Sequence, residues 1–137
     1  MTHPEPIELI QARKLIEKAK FEEALQVLNS TKKIETLSIL DQISLYILKS
    51  SIYLRLDKKE EFFKYAKKAF QISQGQKPSL QLLDVYIKMA QVSNWGGLEM
   101  DKALEFLDKC EDIFKNLTQE PPIELVKREA QIVLIKS

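Results

Sequence analysis

Residues 7–30 read IELIQARKLIEKAKFEEALQVLNS, and they open a run without glycine or proline that continues to Gln74. Leu9, Ala12, Leu15 and Ile16 recur at helical spacing with Lys and Glu between them, which predicts a helix over 7–19. After a short break near Ala19-Lys20 the pattern resumes with Ala24, Leu25 and Leu28, predicting a second helix over 22–30. With no breaker before Gly75, the rest of the run also predicts helices, joined by a polar connection at 31–36.

Ser38 and Asp41 form a capping-box pattern that opens a third helix reaching about Leu56. That segment is apolar around much of its circumference, from Ile39 through Ile43, Tyr46 and Ile52 to Leu56, as in a helix buried on several sides. A fourth helix is predicted over 58–73, closed by Gly75. A fifth follows Pro78 over 79–93, a sixth covers 99–117, and Pro121-Pro122 opens a seventh that reaches Lys136. No segment shows the two-residue alternation of a strand. The expected fold class is all-α, with residues 1–6 a flexible N-terminus and residues 7–137 a single domain.

Composition agrees with this reading. The chain has 137 residues, of which 45% are hydrophobic and 30% charged, with only 3 glycines and 5 prolines. That balance excludes collagen-like and low-complexity chains and disfavours a turn-rich sandwich. The net charge is +1, without the basic excess of a protein that lives on phosphate neutralisation. Charge is uneven along the chain, however. Residues 49–77 carry eight basic side chains against three acidic, and residues 99–112 carry six acidic against two basic. A single cysteine, Cys110, excludes an internal disulfide and a cysteine-based zinc cage. No apolar run approaches the roughly 18 residues needed to span a bilayer. The expectation is a cytoplasmic protein with no membrane partner.

Short joints between helices predict antiparallel pairs, and three segments align with one another. They are Lys20-Phe21-Glu22-Glu23-Ala24-Leu25, Lys58-Lys59-Glu60-Glu61-Phe62-Phe63 and Glu99-Met100-Asp101-Lys102-Ala103-Leu104. Each begins the second helix of a pair, with acidic residues where the positive end of the helix dipole favours them. The pairs cover about 7–31, 37–74 and 79–118, with a final helix at 121–136.

On these residues the chain resembles the tetratricopeptide repeat family over roughly 7–118. Ala12, Leu15 and Ala24 match its small, large and small positions in the first pair. Ser50, Tyr53, Tyr46, Ala66 and Ala69 serve in the second pair, and Ala103 and Cys110 in the third. Phe62 departs from the pattern, standing where alanine is expected. The spacings, 38 residues from Ala24 to Phe62 and 41 from Phe62 to Ala103, exceed the family's usual ~34. HEAT-like pairs, with periods of ~40–47, are the structural alternative.

The resemblance implies a right-handed helical-repeat solenoid of about three helix pairs plus a C-terminal helix, with a concave groove that takes a peptide or an amphipathic helix. It places Leu9, Arg13 and Ile16 in that groove from the first helix. Ile47, Ser51, Leu54 and Arg55 come from the third, and Asp84 and Lys88 from the fifth. Leu9 and Leu48 stand where the carboxylate clamp of co-chaperone members needs polar residues, so that function is not carried over.

The last helix adds a second candidate surface. Val126, Ile132, Val133 and Ile135, with Ile123, Ala130 and Leu134, put apolar residues on more than one side, where the end of a repeat array would be polar. Either this helix docks across the preceding pair, or it meets another surface: a second copy of the chain, a partner, or further repeats of a longer protein.

Catalytic readings find little support. His3 is the only histidine and reads as a solvated terminal residue. Cys110 lacks a base and reads as a small buried hydrophobe. Glu22-Glu23 and Glu60-Glu61 diverge by about 100° on a helix and do not converge on one atom. Gly96-Gly97 lacks the spacing of a phosphate loop. Trp95 beside it reads as packed rather than as an exposed anchor. Arg55, Lys58, Lys59, Lys64, Lys67 and Lys68 read as a solvated helix face, and Phe62, Phe63 and Tyr65 as core residues rather than base-stacking ones. The expected function is therefore a non-enzymatic protein-interaction module without a cofactor or metal. The alternatives are an oligomerisation or spacer element and, less favoured, an RNA-binding helical repeat.

Overall fold

The computed structural model describes residues 5–31, 34–95, 100–117 and 119–136. Seven α-helices account for most of them: α1 (Ile7–Glu17), α2 (Phe21–Asn29), α3 (Ile39–Arg55), α4 (Lys59–Ser73), α5 (Leu80–Asn94), α6 (Met100–Lys115) and α7 (Pro122–Lys136). A short 3-10 turn at Ile34–Thr36 lies in the polar connection before α3. The fold class is all-α, and no strand occurs among the described residues. His3 and the Gly96-Gly97 pair lie outside the described residues.

The helix boundaries follow from local chemistry. Ser38 Oγ accepts the Asp41 amide at 3.1 Å and caps α3. Ser79, rather than Pro78, caps α5 and accepts the Leu82 amide at 3.0 Å. Pro122 occupies the first turn of α7, where its missing N–H removes no helical hydrogen bond.

The chain divides into two compact units, Met1–Ala69 and Phe70–Ser137. In the first, α1 packs chiefly against α2, and both meet α3. Residues Ile43 to Ile47 of α3 are all buried, so this helix is enclosed around its circumference, as its sequence predicts. Tyr65 of α4 stacks on Tyr46 and Tyr53 of α3, with ring centres 6.2 and 5.6 Å apart.

The first unit contains a repeat that is visible in its turns. Ala19 has φ +60° and Asp57 has φ +61°, both left-handed and 38 residues apart. At the end of α1 the Lys20 amide donates to the Leu15 carbonyl at 2.8 Å and the Ala19 amide to Ile16 at 2.9 Å. At the end of α3 the Lys58 amide donates to Tyr53 at 2.8 Å and the Asp57 amide to Leu54 at 3.2 Å. These are two copies of one Schellman turn. The packing repeats with the same offset. Leu9 and Ile47, Ala12 and Ser50, Ala24 and Phe62, and Leu28 and Ala66 are four pairs of buried residues. Ser50 keeps its hydroxyl satisfied by donating to the Ile47 carbonyl at 3.0 Å, so a polar side chain is tolerated there.

In the second unit α5 packs extensively on α6, and α7 lies against both. Leu82, Leu83, Ile87, Ala90, Leu107, Cys110, Ile113, Leu117 and Ile132 form its core. Phe70, Tyr86 and Phe106 join that core edge to face or tilted, with ring centres 5.7 to 6.0 Å apart.

Candidate functional site

Helix α7 carries two apolar seams. Leu125, Arg128, Ile132 and Ile135 follow a 3-4-3 spacing, and the apolar three pack into the core of the second unit. Ile123, Val126, Ala130 and Val133 follow the same spacing two positions earlier. Two residues turn a helix by about 200°, so the second seam faces away from the first. Its members are exposed: Ile123 is 60% accessible, Val126 57% and Val133 56%, with Leu134 beside them at 74%.

The inner seam is anchored by charge as well as by packing. Arg128 Nε donates to Asp84 Oδ1 at 2.8 Å and Nη2 to Oδ2 at 3.1 Å, while Nη1 donates to Glu124 Oε2 at 2.8 Å. Burial works against the Arg128 charge, but Asp84 and Glu124 more than offset it and raise its pKa. The hydrogen bond from Arg128 holds the Glu124 carboxyl below its ordinary value, against a smaller opposing effect of burial. At the far end the Asn94 amide donates to the Ile135 carbonyl at 3.2 Å, capping an orphan acceptor of α7.

The outer seam continues onto α6. Glu111, Phe114, Lys115, Glu129, Ile132 and Val133 line an apolar depression of about 270 Å³ between α6 and α7. A shallower one, lined by Val126, Glu129, Ala130, Val133 and Leu134, shares Glu129 and Val133 with it. The two make one apolar strip, and the charged side chains that line it are Glu111 and Lys115 of α6 and Glu129 of α7.

The residues assigned to a groove from sequence are placed differently. Leu9 is 1% accessible and Ile47 7%, so neither offers a surface. Each sits one turn before the small residue of its helix, Ala12 or Ser50, and shares that residue's buried face. This corrects their placement in an open groove. Ile16, Ser51 and Leu54 are half-buried and Arg55 is exposed. Arg13 pairs with Glu5. Lys88 is buried in the second unit and donates to Gln91 Oε1 at 3.0 Å. On the last helix Val126 and Val133 are exposed, whereas Ile132 is buried and Ile135 half-buried. These two belong to the core because they follow the inner seam, a second correction. Periodicity of the two seams was the signal in the sequence that separates 126 and 133 from 132 and 135.

Cys110 is fully buried and Trp95 half-buried. Among the described residues no group of His, Cys, Asp and Glu is placed to hold a metal ion, and no helix is long and apolar enough to cross a membrane. Comparison with protein-family models, with curated proteins and with solved structures gave no match to this chain.

Proposed function

We propose that this chain is a non-enzymatic protein-interaction module built from helix-hairpin repeats, and that the face made by α6 and α7 docks an amphipathic helix of a partner protein. The observation that carries the reading is the exposed seam Ile123–Val126–Ala130–Val133. Its 3-4-3 spacing is that of a surface made for a second helix, and small Ala130 in the middle lets that helix approach closely. The inner seam, with Arg128 tied to Asp84, holds α7 in place beforehand, so little ordering entropy is lost on binding. The carboxylates Glu111 and Glu129 line the strip against the single ammonium of Lys115, and this acidic balance favours a partner helix with basic flanks. The tetratricopeptide-like reading of the hairpins is supported by the doubled Schellman turn and the matching buried pairs, although their 38-residue period is longer than the family's ~34.

The test selects binders from a library of heptad-patterned peptides whose flanking positions vary in charge. Selected peptides are then measured against the wild type, a Val126→Glu/Val133→Glu variant and Leu54→Glu. Basic-flanked peptides that become helical on binding, and lose at least about tenfold in affinity to the α7 variant but not to Leu54→Glu, support the reading. Peptides insensitive to the α7 variant overturn it. Light scattering over a concentration range covers the other occupant. A dimer dispersed by the same substitutions makes a second copy the natural partner of the seam.

A further inference from the structure

Five lysine ammonium groups lie against aromatic rings of α3 and α4 in the first unit, and three of them share one cluster. Lys49 Nζ is 5.1 Å and Lys64 Nζ 5.3 Å from the centre of the Tyr65 ring, and Lys68 Nζ is 4.8 Å from that of Tyr46. Tyr46 and Tyr65 stack on each other, so the three cations surround one aromatic pair. No carboxylate lies within ion-pair distance of any of the three among the described residues. Lys49 is 8% accessible and makes no hydrogen bond there either.

Lys49 buries its stem while its ammonium still reaches solvent, and two like charges beside that ammonium are an unfavourable arrangement. Burial, with Lys68 and Lys64 adding to it, pulls the Lys49 pKa below its ordinary value. Contact with tyrosine faces offsets part of this. What the cluster lacks is an anion. Glu61 and Glu22 act on Tyr53, the other ring stacked on Tyr65.

We propose that Lys49, Lys64 and Lys68, gathered around the Tyr46–Tyr65 pair, form an oxyanion-binding site whose ligand is a phosphate monoester. A carboxylate brings one charge. A phosphate monoester brings about −1.5 to −2 and three acceptor oxygens, which matches three ammonium donors. Nucleic acid fits less well, because bases bind by stacking on free ring faces. Here Tyr65 stacks with both Tyr46 and Tyr53, and lysines lie over Tyr46 and Tyr65. The site stands on α3 and α4 and does not depend on the docking strip of the second unit.

The experiment titrates the whole chain with inorganic phosphate, with a phosphoserine peptide, with the same peptide unphosphorylated and with single-stranded RNA. Binding is followed by calorimetry and by the amide shifts of α3 and α4. Saturable binding of phosphate and of the phosphopeptide, with at least about tenfold weakening in Lys49→Met and in Lys68→Gln, is the expected result. Lys68 is exposed, so Lys68→Gln reports on the site even where Lys49→Met folds poorly, and Arg55→Gln outside the cluster leaves affinity unchanged. Phosphopeptide binding much tighter than free phosphate identifies a phosphorylated protein as the source; equal binding identifies a small phosphorylated molecule. No saturation by phosphate and phosphopeptide, affinities untouched by both lysine variants, or tight binding of RNA alone would each overturn the proposal.

Discussion

Arg128 on α7 grips Asp84 on α5 with two nitrogens on two carboxylate oxygens, at 2.8 and 3.1 Å, across 44 residues of chain. Both side chains are largely shielded, at 15% and 25% accessible, so the pair sits where water competes poorly. Removing Asp84 leaves the buried guanidinium with Glu124 as its remaining carboxylate. Asp84→Ala is expected to cost about 1.5–3 kcal/mol, measured by denaturant unfolding, and Asp84→Asn less. Amide exchange should accelerate in α7 first. An unchanged exchange pattern in α7 would mean that Leu125, Ile132 and Ile135 hold the helix without the ion pair.

The same arginine sets an acid sensitivity. Glu124 titrates below its ordinary value in the folded state because of its hydrogen bond to Arg128. A carboxyl with a depressed folded pKa contributes stability that is fully present above its unfolded value and is lost as pH falls through the folded one. Melting temperature followed from about pH 6 down to about pH 2 should therefore fall less steeply in Glu124→Gln than in the wild type. Parallel curves would show that Asp84 alone carries the pairing.

The two seams of α7 should respond oppositely to substitution. Ile132→Ala, on the inner seam, removes a side chain from the core and is expected to cost about 2–4 kcal/mol. Leu134→Gln, at 74% accessible, should leave stability within about 0.5 kcal/mol. Thermal denaturation of the two variants decides it. A large loss in Leu134→Gln would show that the outer face is already covered in solution.

Ala19 holds a left-handed conformation that glycine adopts without strain. The strain of about 1–2 kcal/mol exceeds the entropic cost of glycine, about 0.5–1 kcal/mol. Ala19→Gly should thus raise the melting temperature by a few degrees, and Asp57→Gly should raise it less, because aspartate tolerates this conformation better than alanine. A drop in both would mean that these turns relax into another geometry.

Cys110 is fully buried against the core of the second unit. A thiol reagent should modify it in the folded protein only at the rate at which that core opens, and immediately in denaturant. Fast modification under native conditions would show that α6 detaches from α5 far more readily than its packing suggests.

The helices themselves, and nearly all of their ends, were legible in the chain, because what starts and stops a helix is local. The Gly- and Pro-free run, Ser38 before α3 and Pro122 at the head of α7 each act within a turn of where they stand. The 38-residue offset was legible too, as the spacing from Ala24 to Phe62, although one of the left-handed turns that make it a structural repeat stands on Ala19, a residue that does not advertise such a conformation.

Which apolar residues are covered is set by the packing of one helix on another. Periodicity groups Leu9 with Ala12, and Ile47 with Ser50, but it does not say whether a group meets a neighbour or water, and in a helix apolar on more than one side every face qualifies. Leu9, Ile47 and Ile132 are core because another helix lies on them, whereas Val126 and Val133, no more polar, remain exposed. The grip of Arg128 on Asp84 and the burial of Lys49 among Tyr65, Lys64 and Lys68 likewise come from residues brought together across the chain, and no local pattern encodes them.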